Sequence, residues 1–340
     1  MLRITQSRSA ADAKSYYTEA LSRDDYYSEG QERIGQWMGR GADRLGLEGQ
    51  VDRESFIALV DNLHPRNGRR LTVRDRIDRT VGYDFSFHVP KSISVVHALT
   101  KDERIVSAFQ DSVRETMAEM EAEMTTRVRG RGRDANRHTG EMAWSEFVHL
   151  TARPVDGEPD PHLHMHCYVF NATWDQTEQR WKAGQFRHLK RDAPYFEAVY
   201  HQRLAQRLMG LGYGINRSRE GWEITGIPES ARVKFSRRTT EIDRLASAKG
   251  ITDPVLKGEL GARTRSRKAK ALSAGELRER WSSRLTDHER EAIDRVHGNT
   301  EHAASAEPLT PQAAVEHALG QSFATNSVLS KRQLLRSAIR

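Results

Sequence analysis

Pro161-His162-Leu163-His164-Met165-His166-Cys167 alternates polar and apolar side chains. Successive side chains of a β-strand point to opposite faces, so His162, His164 and His166 share one face, and Leu163, Met165, Cys167 and Val169 form the other. One apolar and one polar face describe a half-buried strand, the kind found in antiparallel sheets. Gly82-Tyr83-Asp84-Phe85-Ser86-Phe87-His88-Val89 repeats the pattern; Pro90 ends it and Ser92 can cap a following helix. Met142–Thr151, which carries His149, and His164–Ala172, which continues the opening stretch, read as two strands joined by the turn-rich Pro154-Val155-Asp156-Gly157-Glu158-Pro159-Asp160-Pro161. Gly221-Trp222-Glu223-Ile224 resembles a short strand.

Between these lie helical stretches. Glu29 to Asn62 reads as helices broken by Gly-rich turns, Asp102 to Arg127 as one long helix, and Asp192 to Leu211 as an amphipathic helix ended by Gly212. Strands and helices mix without a βαβ rhythm, which predicts an α+β fold with a central antiparallel sheet and flanking helices. From Ala303 to Pro311 the composition shifts to Ala, Ser, Glu, Thr and Pro, and Ser330 to Arg340 begins a helical pattern that stops without a cap. The expected division is a main domain over 1–300, a linker over 301–312, and the start of a following domain over 313–340.

Of the 340 residues, 37% are hydrophobic, enough for a packed core. No apolar run is long enough to span a bilayer, so no membrane insertion is expected, and the N-terminus turns polar too soon for a secretory signal. The single cysteine, Cys167, excludes an internal disulfide framework; a cytoplasmic location fits. Lys and Arg number 54 against 47 acidic residues, a net charge of +7. That excess is modest, but Arg127, Arg129, Arg131, Arg133 and Arg137 crowd one Gly-interrupted stretch, read as a loop, and Arg263, Arg265, Arg267, Lys268 and Lys270 another. Such runs are ordinarily solvated faces; they gain meaning as phosphate contacts beside a nucleic-acid-processing site.

The histidines are the strongest local feature. Neighbours at i and i+2 on a strand stand about 6.6 Å apart, whereas His162 and His166 stand about 13 Å apart. Imidazole nitrogens must come within about 2.1 Å of a zinc-sized ion. Two adjacent histidines can converge on one ion but all three cannot without a bend, so His164 belongs to either pair, with His162 or with His166. Neutral imidazoles without cysteine suit Zn, Mn or Ni, or a hydrated Mg.

Tyr16-Tyr17 and Tyr26-Tyr27, then Gly82-Tyr83-Asp84 with Pro90-Lys91-Ser92, then His149-(x)3-Arg153…Asp160-Pro161-His162-Leu163-His164-Met165-His166 come in an order that resembles the MobF class of conjugative relaxases, the TraI and TrwC kind. The resemblance runs from Met1 to about Arg295. It implies an HUH-endonuclease fold, circularly permuted relative to rolling-circle initiators. It also implies a site- and strand-specific transesterification: a tyrosine attacks the scissile phosphate at a transfer origin, stays joined to the 5′ end, and the strand is later rejoined. Residue by residue, it gives His149, His164 and His166 as metal ligands, Tyr16 as nucleophile, Tyr26 for a second strand transfer, and Asp84 as the carboxylate beside the histidines. Arg153 and Lys91 are the expected DNA contacts. A divalent ion is implied, Mg or Mn in the cell, with Zn or Ni as alternatives. The implied partners are single-stranded and hairpin origin DNA, accessory relaxosome proteins and a type IV secretion coupling protein, and the following domain would be a helicase. Two departures stand out: His162 replaces a non-ligand residue such as Gln, and Met165 replaces a small Thr.

The chemistry suits the residues. A phosphodiester's charge repels nucleophiles, a cation offsets it, and a phenol with a pKa near 10 needs help to ionise at neutral pH. Three rival readings are a histidine-metal hydrolase, which would leave free DNA ends, a rolling-circle initiator, whose histidines normally precede its tyrosine, and a non-catalytic DNA-binding module. The order Tyr, Asp, His favours the relaxase.

Overall fold

A computed structural model describes residues 1–14, 35–73, 76, 78–130, 133–218, 221–264, 272–298, 310–324 and 326–339. Tyr16, Tyr17, Tyr26 and Tyr27 lie outside the described residues, as does most of the expected linker. The centre is a five-stranded antiparallel sheet. Its strands in spatial order are β1 (Leu2–Ser7), β3 (Gly82–His88), β7 (Pro161–Phe170), β6 (Trp144–Thr151) and β2 (Gln36–Met38). The expected α+β class and antiparallel sheet are what the chain forms.

One sheet face carries Leu2, Ile4, Phe85, Phe87, Met165 and Cys167 into the larger core, which also holds side chains of helices Lys91–Thr100, Glu103–Ala122 and Ala193–Gly210. The opposite face is divided along β7. Tyr168 and Phe170, with Phe147 of β6, build a second core with Phe56, whose ring centre lies 5.6 Å from Tyr168 and 5.3 Å from Phe170. Ala13 and Trp37 join the same core. Toward the start of β7 the face becomes His166, His164 and His162. Burying those rings without partners would cost each its hydration, so the aromatic packing gives way to a polar site at this end.

Several boundaries differ from expectation. The long helix is Glu103–Ala122, and the chain beyond it is extended: Thr125–Gly130 (β4) pairs with Arg133–His138 (β5). Arg127 and Arg129 therefore stand on a two-stranded ribbon rather than in a loop. Two β-branched threonines start that ribbon, and Thr126 is buried with its hydroxyl donating to Ala183 O at 2.9 Å. Strand β6 starts at Trp144 rather than Met142, and β7 starts at Pro161, a position where a strand loses nothing to the missing N–H. The helix expected over Asp192–Leu211 is Ala193–Gly210.

β1 was not expected at all. It is an edge strand whose Leu2 and Ile4 stand opposite Phe87 and Phe85, a pattern too short to read alone. Thr173–Asp175 (β8) and Arg180–Lys182 (β9) form one further hairpin, Ile215–Ser218 (β10) and Gly221–Ile224 (β11) another. In the C-terminal stretch, helix Lys331–Ile339 contacts helix Ala193–Gly210: the Arg332 guanidinium pairs with Asp192 and lies over the rings of Tyr195 and Phe196. Among the described residues no helix is long and apolar enough to cross a membrane.

Candidate metal centre

The register of the sheet fixes which side chains meet. His166 of β7 stands opposite Ser86 of β3 and Phe147 of β6, and His164 stands opposite His88 and His149. Directly opposed residues share a face, so the alternating residues of β3 (Asp84, Ser86, His88) join the β7 histidines and His149. A register shift follows His149, where β6 begins to leave the sheet toward the connection that carries Arg153.

His149, His164 and His166 form a near-equilateral triangle. Their ring centres are 5.1 Å (His149–His164), 5.3 Å (His149–His166) and 5.2 Å (His164–His166) apart. Three imidazoles bound at about 2.1 Å to one tetrahedral ion have ring centres about 5 Å apart, so this spacing fits a first-row divalent metal. Among the described residues no three His, Cys, Asp or Glu side chains are already closed around an ion position. Turning an imidazole about its Cβ–Cγ bond moves its nitrogens while leaving its centre nearly in place, so rings at this spacing can converge on one ion by rotation alone.

Hydrogen bonds decide which nitrogens are available. His164 Nδ1 lies 2.9 Å from the backbone oxygen of His162, an acceptor only, so Nδ1 carries the hydrogen and Nε2 the lone pair. His166 Nδ1 lies 2.9 Å from both carboxylate oxygens of Asp84 and 3.1 Å from the Ser86 hydroxyl, which itself donates to Asp84 at 3.0 Å. A carboxylate accepts, so His166 Nδ1 donates to it and Nε2 is the nitrogen left for a metal. A carboxylate that holds a histidine's second nitrogen is the usual companion of a metal-ligating imidazole. Burial, reinforced by the neighbouring imidazoles, holds His164 well below the ordinary histidine range, so its ring is neutral at pH 7.

His162 stands apart from that triangle. Its Nε2 lies 3.0 Å from His88 Nδ1, and burial with the nearby Lys91 cation keeps it far below the ordinary range. Burial also pushes His88 down to about 3.

Lys91 is half-buried and donates to Pro161 O at 3.0 Å; burial lowers its amine to about 8. Arg153 is half-buried in the β6–β7 connection and forms no ion pair among the described residues. The nearby carboxylate of Asp160 is buried and taken by Arg237 (backbone N at 3.0 Å, Nε at 2.9 Å) and Arg284 (2.9 Å). Trp281 Nε1 adds a bond to Pro159 O at 2.9 Å. The turn that delivers β7 is thus clamped by residues more than seventy positions further on, for which the sequence carries no local signal. Ser86 and His88 were legible by parity with Asp84, but nothing local gave them partners.

On the ribbon, Arg127 and Arg129 are exposed and share one carboxylate, Asp134, at 3.7 and 3.4 Å. Arg137 is instead neutralised by the fully buried Asp175 at 2.8 Å.

A family model described as TrwC relaxase matches residues 10–288. The chain is similar to the multifunctional conjugation protein TraI of Escherichia coli strain K12, 32% identical over 253 residues. That match covers 71% of this chain and 14% of the relative, so the chain spans only a small part of the curated protein's length. Among solved structures, the conjugative relaxase TrwC in complex with oriT DNA in metal-bound form superposes with a TM-score of 0.72 at 28% identity, covering 84% of this chain and 97% of that one. A copper-bound form of the same complex gives 0.72 at 27% identity, with 86% and 98% covered. TrwC with a 27-mer DNA comprising the recognition hairpin and the cleavage site gives 0.70 at 26%, with 86% and 98% covered.

Proposed function

The chain belongs to the TrwC relaxase family, and on that premise we propose that it nicks one DNA strand at a transfer origin by metal-assisted transesterification, with Tyr16 as nucleophile. The observation that carries the proposal is the triangle of His149, His164 and His166 with Asp84 on His166 Nδ1. Those three residues would hold the ion, which when bound offsets charge on a non-bridging phosphate oxygen. Mg or Mn is the proposed cellular ion, with Zn or Ni as alternatives.

The remaining roles belong to the chain itself. Asp84 fixes the His166 tautomer and ring, with Ser86 as its second support. The Tyr16 oxygen forms a bond to phosphorus as the bond to the 3′ oxygen breaks, which leaves a 5′-phosphotyrosine and a free 3′ hydroxyl. Because the ester keeps the energy of the broken bond, rejoining needs no ATP. Tyr16 lies three residues beyond Ala13, and three residues of chain reach at most about 11 Å. Ala13 is buried in the core shared with Phe147, the residue opposite His166. Gly35, where the described chain resumes, abuts the Phe147 ring so closely that a Cβ there would clash with it. Both ends of the tyrosine-bearing segment are thus held on the face that carries the histidines.

Tyr26 serves a second strand transfer in this reading. Arg153, whose cation no described carboxylate neutralises, contacts a backbone phosphate. Lys91 fits less well as a direct contact, because its amine is held by the start of β7. Single-stranded and hairpin origin DNA is the proposed substrate. Accessory relaxosome proteins, a coupling protein and a helicase domain beyond the linker are proposals for the whole protein.

The test is incubation of the 340-residue chain with a labelled single-stranded origin oligonucleotide and Mg or Mn, followed by denaturing electrophoresis. A protein-linked band that disappears with chelator supports transesterification. Free 5′ ends without any adduct would mean that water attacks, as in the hydrolase reading.

A further inference from the structure

Five imidazoles, not three, crowd the polar end of β7. His88, His162 and His164 form a second triangle beside the first. Their ring centres are 5.1 Å (His88–His162), 4.7 Å (His162–His164) and 5.4 Å (His88–His164) apart, close to the spacing of the His149, His164 and His166 set. The facing nitrogens of His88 and His162 are 3.0 Å apart. Two nitrogens bound at about 2.1 Å to a tetrahedral ion stand about 3.4 Å apart, so a small ring movement turns this contact into a chelating pair. One of the two facing nitrogens carries a hydrogen; moving it to that ring's other nitrogen frees both lone pairs, with no net loss of protons.

We propose that His88, His162 and His164 form a second transition-metal position that overlaps the first through His164. His164 Nδ1 is committed to the His162 backbone oxygen, so the ring offers Nε2 alone. One lone pair serves one ion, and the two three-histidine positions are therefore alternatives for a single ion. They differ in chemistry. Asp84 sits against His166 in the first position, at 2.9 Å from its Nδ1, whereas the second rests on imidazoles alone. Both positions offer three imidazoles, a set that suits Ni, Cu or Zn. The second position offers such an ion an alternative place one pleat away from the first. The inference rests on the proposed first position only for the sharing of His164.

Isothermal titration of the 340-residue chain with Ni(II) separates the two positions, with thermal unfolding of each variant as a check that it is folded. His166→Ala breaks only the first position, His162→Gln only the second, and the double variant breaks both. The expected result is one Ni(II) per chain in the wild type, affinity within about tenfold in each single variant, and a loss of about a hundredfold or more in the double variant, on the scale at which a metal site responds to loss of a partner. His166→Ala with His88→Asn repeats the test from the neighbouring strand, in case the first double variant fails to fold. If His166→Ala alone loses Ni(II) as completely as the double variant while His162→Gln keeps it, the second position does not exist and the first stands. If His162→Gln alone abolishes binding and His166→Ala does not, the second position stands and the assignment of His149, His164 and His166 falls. No binding by the wild type would overturn both.

Discussion

Asp84 illustrates how much one carboxylate can do through a neighbour. It touches His166 Nδ1 with both oxygens and takes a third bond from Ser86, so its work is to hold a ring in one tautomer. Asp84→Asn keeps the size but removes the charge that holds the Nδ1 hydrogen in place. Metal affinity should fall about 10- to 100-fold by calorimetry while the melting temperature stays near that of the wild type; unchanged affinity would remove Asp84 from the site. Lys91 allows a test by pH. Burial lowers its amine from 10.5 to about 8, so between those values the unfolded chain holds a proton that the folded chain has released. Stability attributable to Lys91 then rises with pH across that window, and the penalty is full below pH 8. Urea unfolding should therefore show Lys91→Met gaining on the wild type at pH 7 and losing that advantage by pH 10.5; a pH-independent difference would contradict a depressed amine.

At the level of elements, β7 shows where local sequence ends and tertiary structure begins. Its alternation was legible, and so was the shared face of its histidines, because a period of two depends only on the residues themselves. What holds its first residues was not legible: Asp160 is clamped by Arg237 and Arg284, and the pairing exists only once distant helices have docked. Removing one partner of a buried ion pair leaves the other charges uncompensated. Asp160→Ala should cost about 3–5 kcal/mol in urea unfolding, and a loss below about 1 kcal/mol would show that the clamp does not hold the turn. The boundary near Ala122 teaches the same lesson. Composition carried the helix expectation on through Thr125–Arg127, but pairing with Arg133–His138 and the buried Thr126 outweighed a weak propensity.

For the whole molecule, fold class and the shared polar face of Asp84 and the β7 histidines could be read because each rests on strand parity. The division between the two cores could not, since it depends on which helix covers which half of a face. Nor could the side-chain contact between His162 and His88, which lies across neighbouring strands. The central claim is that a tyrosine of this chain becomes covalently joined to DNA. The direct measurement is mass-spectrometric mapping of the adduct. The chain is incubated with the origin oligonucleotide and metal, the DNA is trimmed by nuclease, and the protein is digested and sequenced for a nucleotide-bearing tyrosine. The account predicts a 5′-phosphonucleotide on Tyr16, absent from Tyr16→Phe. A nucleotide on Tyr26 or Tyr27 with Tyr16 unmodified, or cleaved DNA with no modified tyrosine, would contradict it.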